Sequence, residues 1–206
     1  MITAVETLPP PGRGPEGLEA LLGAFSPGRL SEIVGPDSSG TSSLLLALMT
    51  RTTVGGGVVA LVDVADGFDP TSAAAAGADL SRLLWVKCGA RLRAGWSAAD
   101  LLVRCRGFAL VVLDLGDLPS TRREAASAVL CRRLQRAAEA SGAVLVLRAP
   151  QHLAGSAASL VVGLHQLETR WTGLSRATRF AGLTSEARIL YAQGEGGARW
   201  LIRWHA

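Results

Sequence analysis

The sequence predicts an α/β domain: a mostly parallel central sheet, helices on both faces and an antiparallel C-terminal extension. Three observations carry that expectation. Short, continuously apolar runs alternate with helical stretches as far as Pro150. A glycine-bounded loop separates the first such run from the helix after it. Beyond Pro150 the runs shorten, apolar and polar residues alternate, and turns such as Gly194-Glu195-Gly196-Gly197 intervene.

The elements follow in order. Residues 1–16 hold Pro9-Pro10-Pro11-Gly12 and Gly14-Pro15 without an apolar stripe, so a flexible tail is expected there, with one core domain over 17–206. Residues 17–25 read as a short apolar helix, 30–34 as the first strand and 41–50 as the helix after the loop. Residues 58–63 and 83–87 are the next strands. A helix is expected over 97–105, with Ser97 and Asp100 at capping-box spacing. Residues 110–114 (Leu-Val-Val-Leu-Asp) are the fourth strand. Residues 121–141 form a long helix with Ala126, Leu130, Leu134 and Ala137 on one face and Arg132, Arg133 and Arg136 on the other. Residues 143–147 are the fifth strand. The antiparallel extension is expected at 159–169, 175–180, 188–193 and 199–204.

Bulk properties narrow the class. At 206 residues, one domain with a full core is the default. Hydrophobic residues make up 49% and aromatics 5%, so the core must be built mainly of Leu, Val and Ala. The longest apolar runs are of strand or buried-helix length, too short to span a bilayer. No signal-peptide pattern opens the chain, and Cys88, Cys105 and Cys131 are too dispersed for a disulfide framework or metal cluster, which together suggest a reducing cytoplasm. The net charge of +4 permits nucleic-acid contact without requiring it.

The loop carries the chemistry. Gly35, Gly40 and Ser42 stand where a G-x-x-x-x-G-K-[ST] phosphate loop needs them, but Thr41 replaces the lysine. Such a loop offers backbone N–H groups and a helix N-terminus to an anion, without the ammonium that reaches the outer phosphates. The candidate nucleotide contacts are Gly35, Ser38, Ser39, Gly40, Thr41 and Ser42, and the other reading is a turn kept for its shape. Asp114, ending the fourth strand, is placed either to position a metal ion or to cap a buried strand end. The same choice applies to Asp63. Arg132, Arg133 and Arg136 are candidates for DNA or partner contact, or a solvated helix face. In residues 199–204, Trp200 and Trp204 fit either base stacking or, better, a strand with one packed face. Trp171, beside Arg170, reads as part of a small apolar patch for a partner.

The run Gly28-Arg29-Leu30-Ser31-Glu32-Ile33-Val34-Gly35-Pro36-Asp37-Ser38-Ser39-Gly40 resembles the RecA recombinase form of this loop. From about Gly17 into its C-terminal strands the chain resembles the ImuA family, RecA-like accessory proteins of mutagenic translesion DNA synthesis. The resemblance implies a RecA-like core and sets the water-activating glutamate against Ala65. It implies that both DNA-binding loops are shortened, to 115–120 and 148–156. A damage-induced, non-enzymatic factor is expected, with no cofactor beyond weak ATP or ADP binding and only weak or indirect DNA contact. Its implied partners are an ImuB-like inactive Y-family polymerase relative and an error-prone C-family polymerase, with RecA as a further candidate. The N-terminal arm that RecA uses to polymerise has no counterpart in the first sixteen residues, so self-filamentation is not expected. Two other classes fit less well: a DNA-dependent ATPase or recombinase with an atypical loop, and a cell-division inhibitor of the SulA type.

Overall fold

The first apolar run of the sequence lies at the middle of the sheet. A computed structural model describes residues 5–8, 17–116, 127–173, 178–192 and 198–205. In it the strands are β1 (Val5–Leu8), β2 (Leu30–Val34), β3 (Val58–Asp63), β4 (Leu83–Lys87), β5 (Phe108–Asp114), β6 (Val144–Ala149), β7 (Leu160–Thr172), β8 (Arg179–Ala192) and β9 (Arg199–His205). They form one nine-stranded sheet in the order β1-β9-β8-β7-β2-β6-β5-β3-β4. Strands β7, β2, β6, β5, β3 and β4 run parallel, while β8, β9 and β1 extend the sheet in antiparallel fashion. The expected fold class is therefore present.

Strand periodicity divides the core in two. On β3, Val59 and Leu61 face one side, where α1 (Gly17–Gly23) and α2 (Thr41–Val54) bring Leu21, Leu44, Leu45 and Leu48. Ala60 and Val62 face the other side, against α4 (Leu92–Arg104) and α5 (Ser127–Ser141) through Trp96, Ala99, Val103, Leu134 and Ala138. Every residue of β2 is buried, as a strand covered on both faces requires. A short α3 (Pro70–Ala75) was not foreseen. Its signal is local: Asp69 caps it by accepting from Thr71 N and Ser72 N at 3.1 and 3.0 Å, and proline fills the first position.

Several expectations need correction. Helix α4 starts at Leu92 rather than 97, because the apolar stripe through Trp96, Ala99 and Val103 outweighs the cap signal at Ser97. Asp100 is no capping residue; it binds Arg104 and Arg133. Helix α2 continues to Val54, where Gly55 N closes onto Arg51 O at 3.0 Å. The expected strands at 175–180 and 188–193 do not stand apart, since a single fourteen-residue β8 runs through 179–192. The Gly-Leu-Thr-Ser run at 182–185, left between those two expected strands, is buried in the sheet: a side chain at Gly182 would meet Trp204 O at 2.3 Å. The tail expected over 1–16 is not wholly without structure. Val5–Leu8 pairs with Leu201–Trp204 of β9, whose outer edge offers backbone groups that require partners. The expected helix start at 121–126 lies outside the described residues. Trp200 and Trp204 are buried with Ile202, so packing accounts for the 199–204 pattern and a stacking platform does not.

No helix among the described residues is long and apolar enough to cross a membrane, and none of their His, Cys, Asp and Glu side chains cluster as metal ligands.

The α4 interface makes a stability prediction. A Cβ at Gly95 would lie 2.4 Å from Val64 Cγ2. Val64 is fully buried and pinned at both backbone polar groups by Asp114 O and Ala90 N. In Gly95→Ala, helix propensity worth about 1 kcal/mol opposes overpacking that costs about 1–3 kcal/mol. A net loss of about 1 kcal/mol is expected from urea unfolding. A variant as stable as the parent would contradict this packing.

Candidate functional site

The loop after β2 keeps its shape because glycines let neighbouring strands close on it. A side chain at Gly35 would stand 2.6 Å from Leu164 O on β7. At Gly40, φ is 96°, and a Cβ would lie 2.7 Å from Ser185 Oγ and 2.9 Å from Trp204 Nε1. The antiparallel extension thus forms one wall of the loop, with Trp204 Nε1 donating to Ser185 Oγ at 3.2 Å. Gly40 also supplies the N-cap of α2 with no side-chain hydrogen bond, so no capping side chain competes there for an anion. Ser38, at φ 60°, and Asp37 are exposed, whereas Ser39 is buried and its hydroxyl has no hydrogen-bond partner.

The charge missing at Thr41 arrives from elsewhere. Arg148, near the end of β6, stands in register between Ile33 on β2 and Asp114 on β5. Its Nε donates to Asp114 Oδ1 at 2.7 Å. Its Nη1 donates to Ser42 Oγ at 2.6 Å and to Thr41 Oγ1 at 3.2 Å. The Arg148 and Asp114 side chains are only 12% and 11% exposed, so this ion pair is largely shielded from water. Asp114 Oδ1 also accepts Gly116 N at 2.8 Å. Sequence reasoning found every member of this cluster except Arg148. The sequence shows only an arginine after the expected fifth strand, and the sheet register alone sets it level with Asp114.

A phosphate loop holds its divalent ion through the loop hydroxyl and the strand-end aspartate. Here those groups are Ser42 and Asp114, and both are bound to the Arg148 guanidinium. The donor set does not fit a magnesium ion, because the position between its two members carries a fixed positive charge.

The other acidic candidates have structural partners. Asp63 is fully buried and accepts Gly67 N, Phe68 N and Trp85 Nε1 at 3.1, 3.1 and 3.2 Å, which holds the turn after β3. Asp66, next to Ala65, pairs with Lys87 at 2.8 Å. Glu32, unread in the sequence, is buried in β2 and accepts Leu153 N and Ala154 N, both at 2.9 Å, and also bonds His152 Nδ1. It ties the segment after β6 to the central strand. Burial, with the Glu32 charge adding to it, pushes the Cys131 thiol up to about 12.

The arginines of α5 do not act together. Arg133 grips Asp100 of α4 through Nε at 3.0 Å and Nη2 at 2.5 Å. Arg132 and Arg136 face a different cleft, which they share with Arg29. Trp171 is exposed and packs edge-on against Phe180.

Comparison with known proteins adds the following. The family model described as the RecA N-terminal domain matches residues 5–126, a stretch that ends before β6 and Arg148. The RecA protein of a Picosynechococcus strain is 38% identical over 96 residues, covering 47% of this chain and 27% of that protein. That of Corynebacterium urealyticum is 35% identical over 114 residues, covering 53% of this chain and 30% of that protein. The chain therefore spans under a third of the length of these curated relatives. A crystal structure of the RadB recombinase is similar with a TM-score of 0.65 over 89% of this chain and 91% of that one. At 19% identity that likeness is one of fold.

The ion pair predicts a stability pattern. Arg148→Met leaves the shielded Asp114 carboxylate without its counter-charge, which costs about 3 kcal/mol. Adding Asp114→Asn, which keeps an acceptor for Gly116 N, is expected to restore part of that loss in a double-mutant cycle by urea unfolding. Additive losses, or a neutral Arg148→Met, would contradict the coupling.

Proposed function

The chain belongs to the RecA N-terminal domain family, and from that premise we propose that it is a non-hydrolysing accessory factor of DNA repair that works through contacts with other proteins. One observation carries the reading. The Arg148 guanidinium occupies the position between Ser42 and Asp114 where phosphoryl transfer needs a metal ion. Thr41 in place of the loop lysine and Ala65 at the glutamate position point the same way. Each such group supplies a large factor in phosphoryl transfer, so their joint replacement leaves little catalysis. What the loop retains is backbone N–H groups, which support weak ATP or ADP binding at most.

Within DNA repair, the resemblance to ImuA favours error-prone translesion synthesis with an ImuB-like protein and a C-family polymerase as partners, and RecA as a further candidate. One surface suits that role. Strand β4 is the outermost parallel strand and pairs only with β3 among the described strands. Leu84 on it is 44% exposed, and Leu80 just before it 38%. A partner strand adding to this edge would gain main-chain hydrogen bonds and an apolar anchor.

Two measurements test these readings. ATP turnover, with and without single-stranded DNA, is expected to stay at background, and Thr41→Lys alone is expected not to rescue it. Turnover near the ordinary enzyme range of about 1 s⁻¹ would sink the non-hydrolysing reading and favour a DNA-dependent ATPase. Calorimetry of partner fragments, starting from an ImuB-like protein, is expected to find a segment whose affinity drops about tenfold, or about 1.4 kcal/mol, in Leu84→Asp. Binding that ignores the β4 edge would reject this docking site.

A further inference from the structure

A cleft of about 260 Å³ opens at the amino-terminal ends of β2 and β7, the opposite end of the sheet from Arg148. Its floor is fixed. Gln135 of α5 accepts Leu30 N through Oε1, and its Nε2 donates to Gly28 O at 3.2 Å and to Glu139 Oε1 at 2.9 Å. Three guanidinium groups line it: Arg29 at the start of β2, and Arg132 and Arg136 on α5. Among the described residues Glu139 is the one carboxylate of the lining; it is 3.7 Å from Arg29 and shares its oxygen with Gln135.

Arg132 and Arg136 are one helical turn apart, so their charges lie on the same face and repel. Among the described residues neither has an ion-pair partner, while Arg133 between them is turned away onto Asp100. The Ser156 hydroxyl adds another donor to the lining. A cleft with this excess of donors over acceptors selects an oxyanion, and planar guanidinium forks match phosphate oxygens in particular. Among the described residues Ala157 is the one apolar side chain of the lining, which offers a peptide little anchor for its own side chains.

We propose that this cleft binds the phosphodiester backbone of a nucleic-acid strand, with Arg132 and Arg136, spaced by about 6 Å along α5, reaching successive phosphates. This site is separate from the degenerate phosphate loop and from the β4 edge. It reads no sequence, because phosphate contacts position a strand without specifying its bases.

Fluorescence anisotropy of the full chain with a labelled single-stranded oligonucleotide tests it, at salt concentrations from about 50 to about 200 mM. The wild type is expected to bind weakly at low salt and to lose affinity steeply as salt rises. Arg132→Ala with Arg136→Ala is expected to lower the salt slope by about 1.4, at about 0.7 for each phosphate contact on a single strand. Arg132→Lys with Arg136→Lys is expected to retain most of the slope, which separates charge from packing. Arg133→Ala is expected to leave the slope unchanged. The proposal is overturned by no binding in the wild type, by an unchanged slope in the double alanine variant, or by an equal loss in Arg133→Ala. Displacement of the oligonucleotide by polyglutamate at matched charge would overturn it in favour of an acidic peptide.

Discussion

The contact on which the candidate site depends is the hydrogen-bonded link from Asp114 through Arg148 to Ser42 and Thr41. It joins β5, β6 and the start of α2 at the carboxyl end of the sheet. An isolated guanidinium or carboxylate this poorly exposed would be costly, and each offsets the other because the contact is close. The link also sets the chemistry. It places a permanent organic cation between the loop hydroxyl and the strand-end aspartate, the two groups through which a phosphate loop ordinarily holds its metal ion.

The loop itself is held from the other direction. Strands β7, β8 and β9 press on Gly35 and Gly40 so closely that neither position accepts a side chain. The antiparallel extension therefore completes the wall of the phosphate loop as well as lengthening the sheet. Glu32 performs a related task in the middle of β2, three residues before Gly35, where its carboxylate gathers the segment after β6. Buried charge in this molecule thus cross-links strand ends, and Asp63 does the same for the turn after β3.

Helix α5 shows how one run of like residues is divided among tasks. Arg133 points to α4 and is neutralised by Asp100, while Arg132 and Arg136, on the other flank, meet Arg29. The rotation of about 100° per residue along a helix separates them. Their chemistry is identical, and the surroundings alone decide which arginine becomes a structural tie.

The amino-acid sequence by itself determined the alternation of strands and helices, the parallel character of the central sheet and the outline of the phosphate loop. Those properties follow from apolar periodicity and glycine placement, which act over a few residues. Strands β2, β3 and β4 span the residues expected of them, 30–34, 58–63 and 83–87. Long-range packing decided the rest. Helix α4 begins early because its apolar stripe fits the sheet, and β8 runs unbroken because β9 lies close against its glycine. The role of Arg148 was decided in the same way. Its partner Thr41 is 107 residues away along the chain, and no local pattern signals which strand end will carry an arginine into the loop. Only the order β2-β6-β5 across the sheet brings Asp114, Arg148 and the loop together.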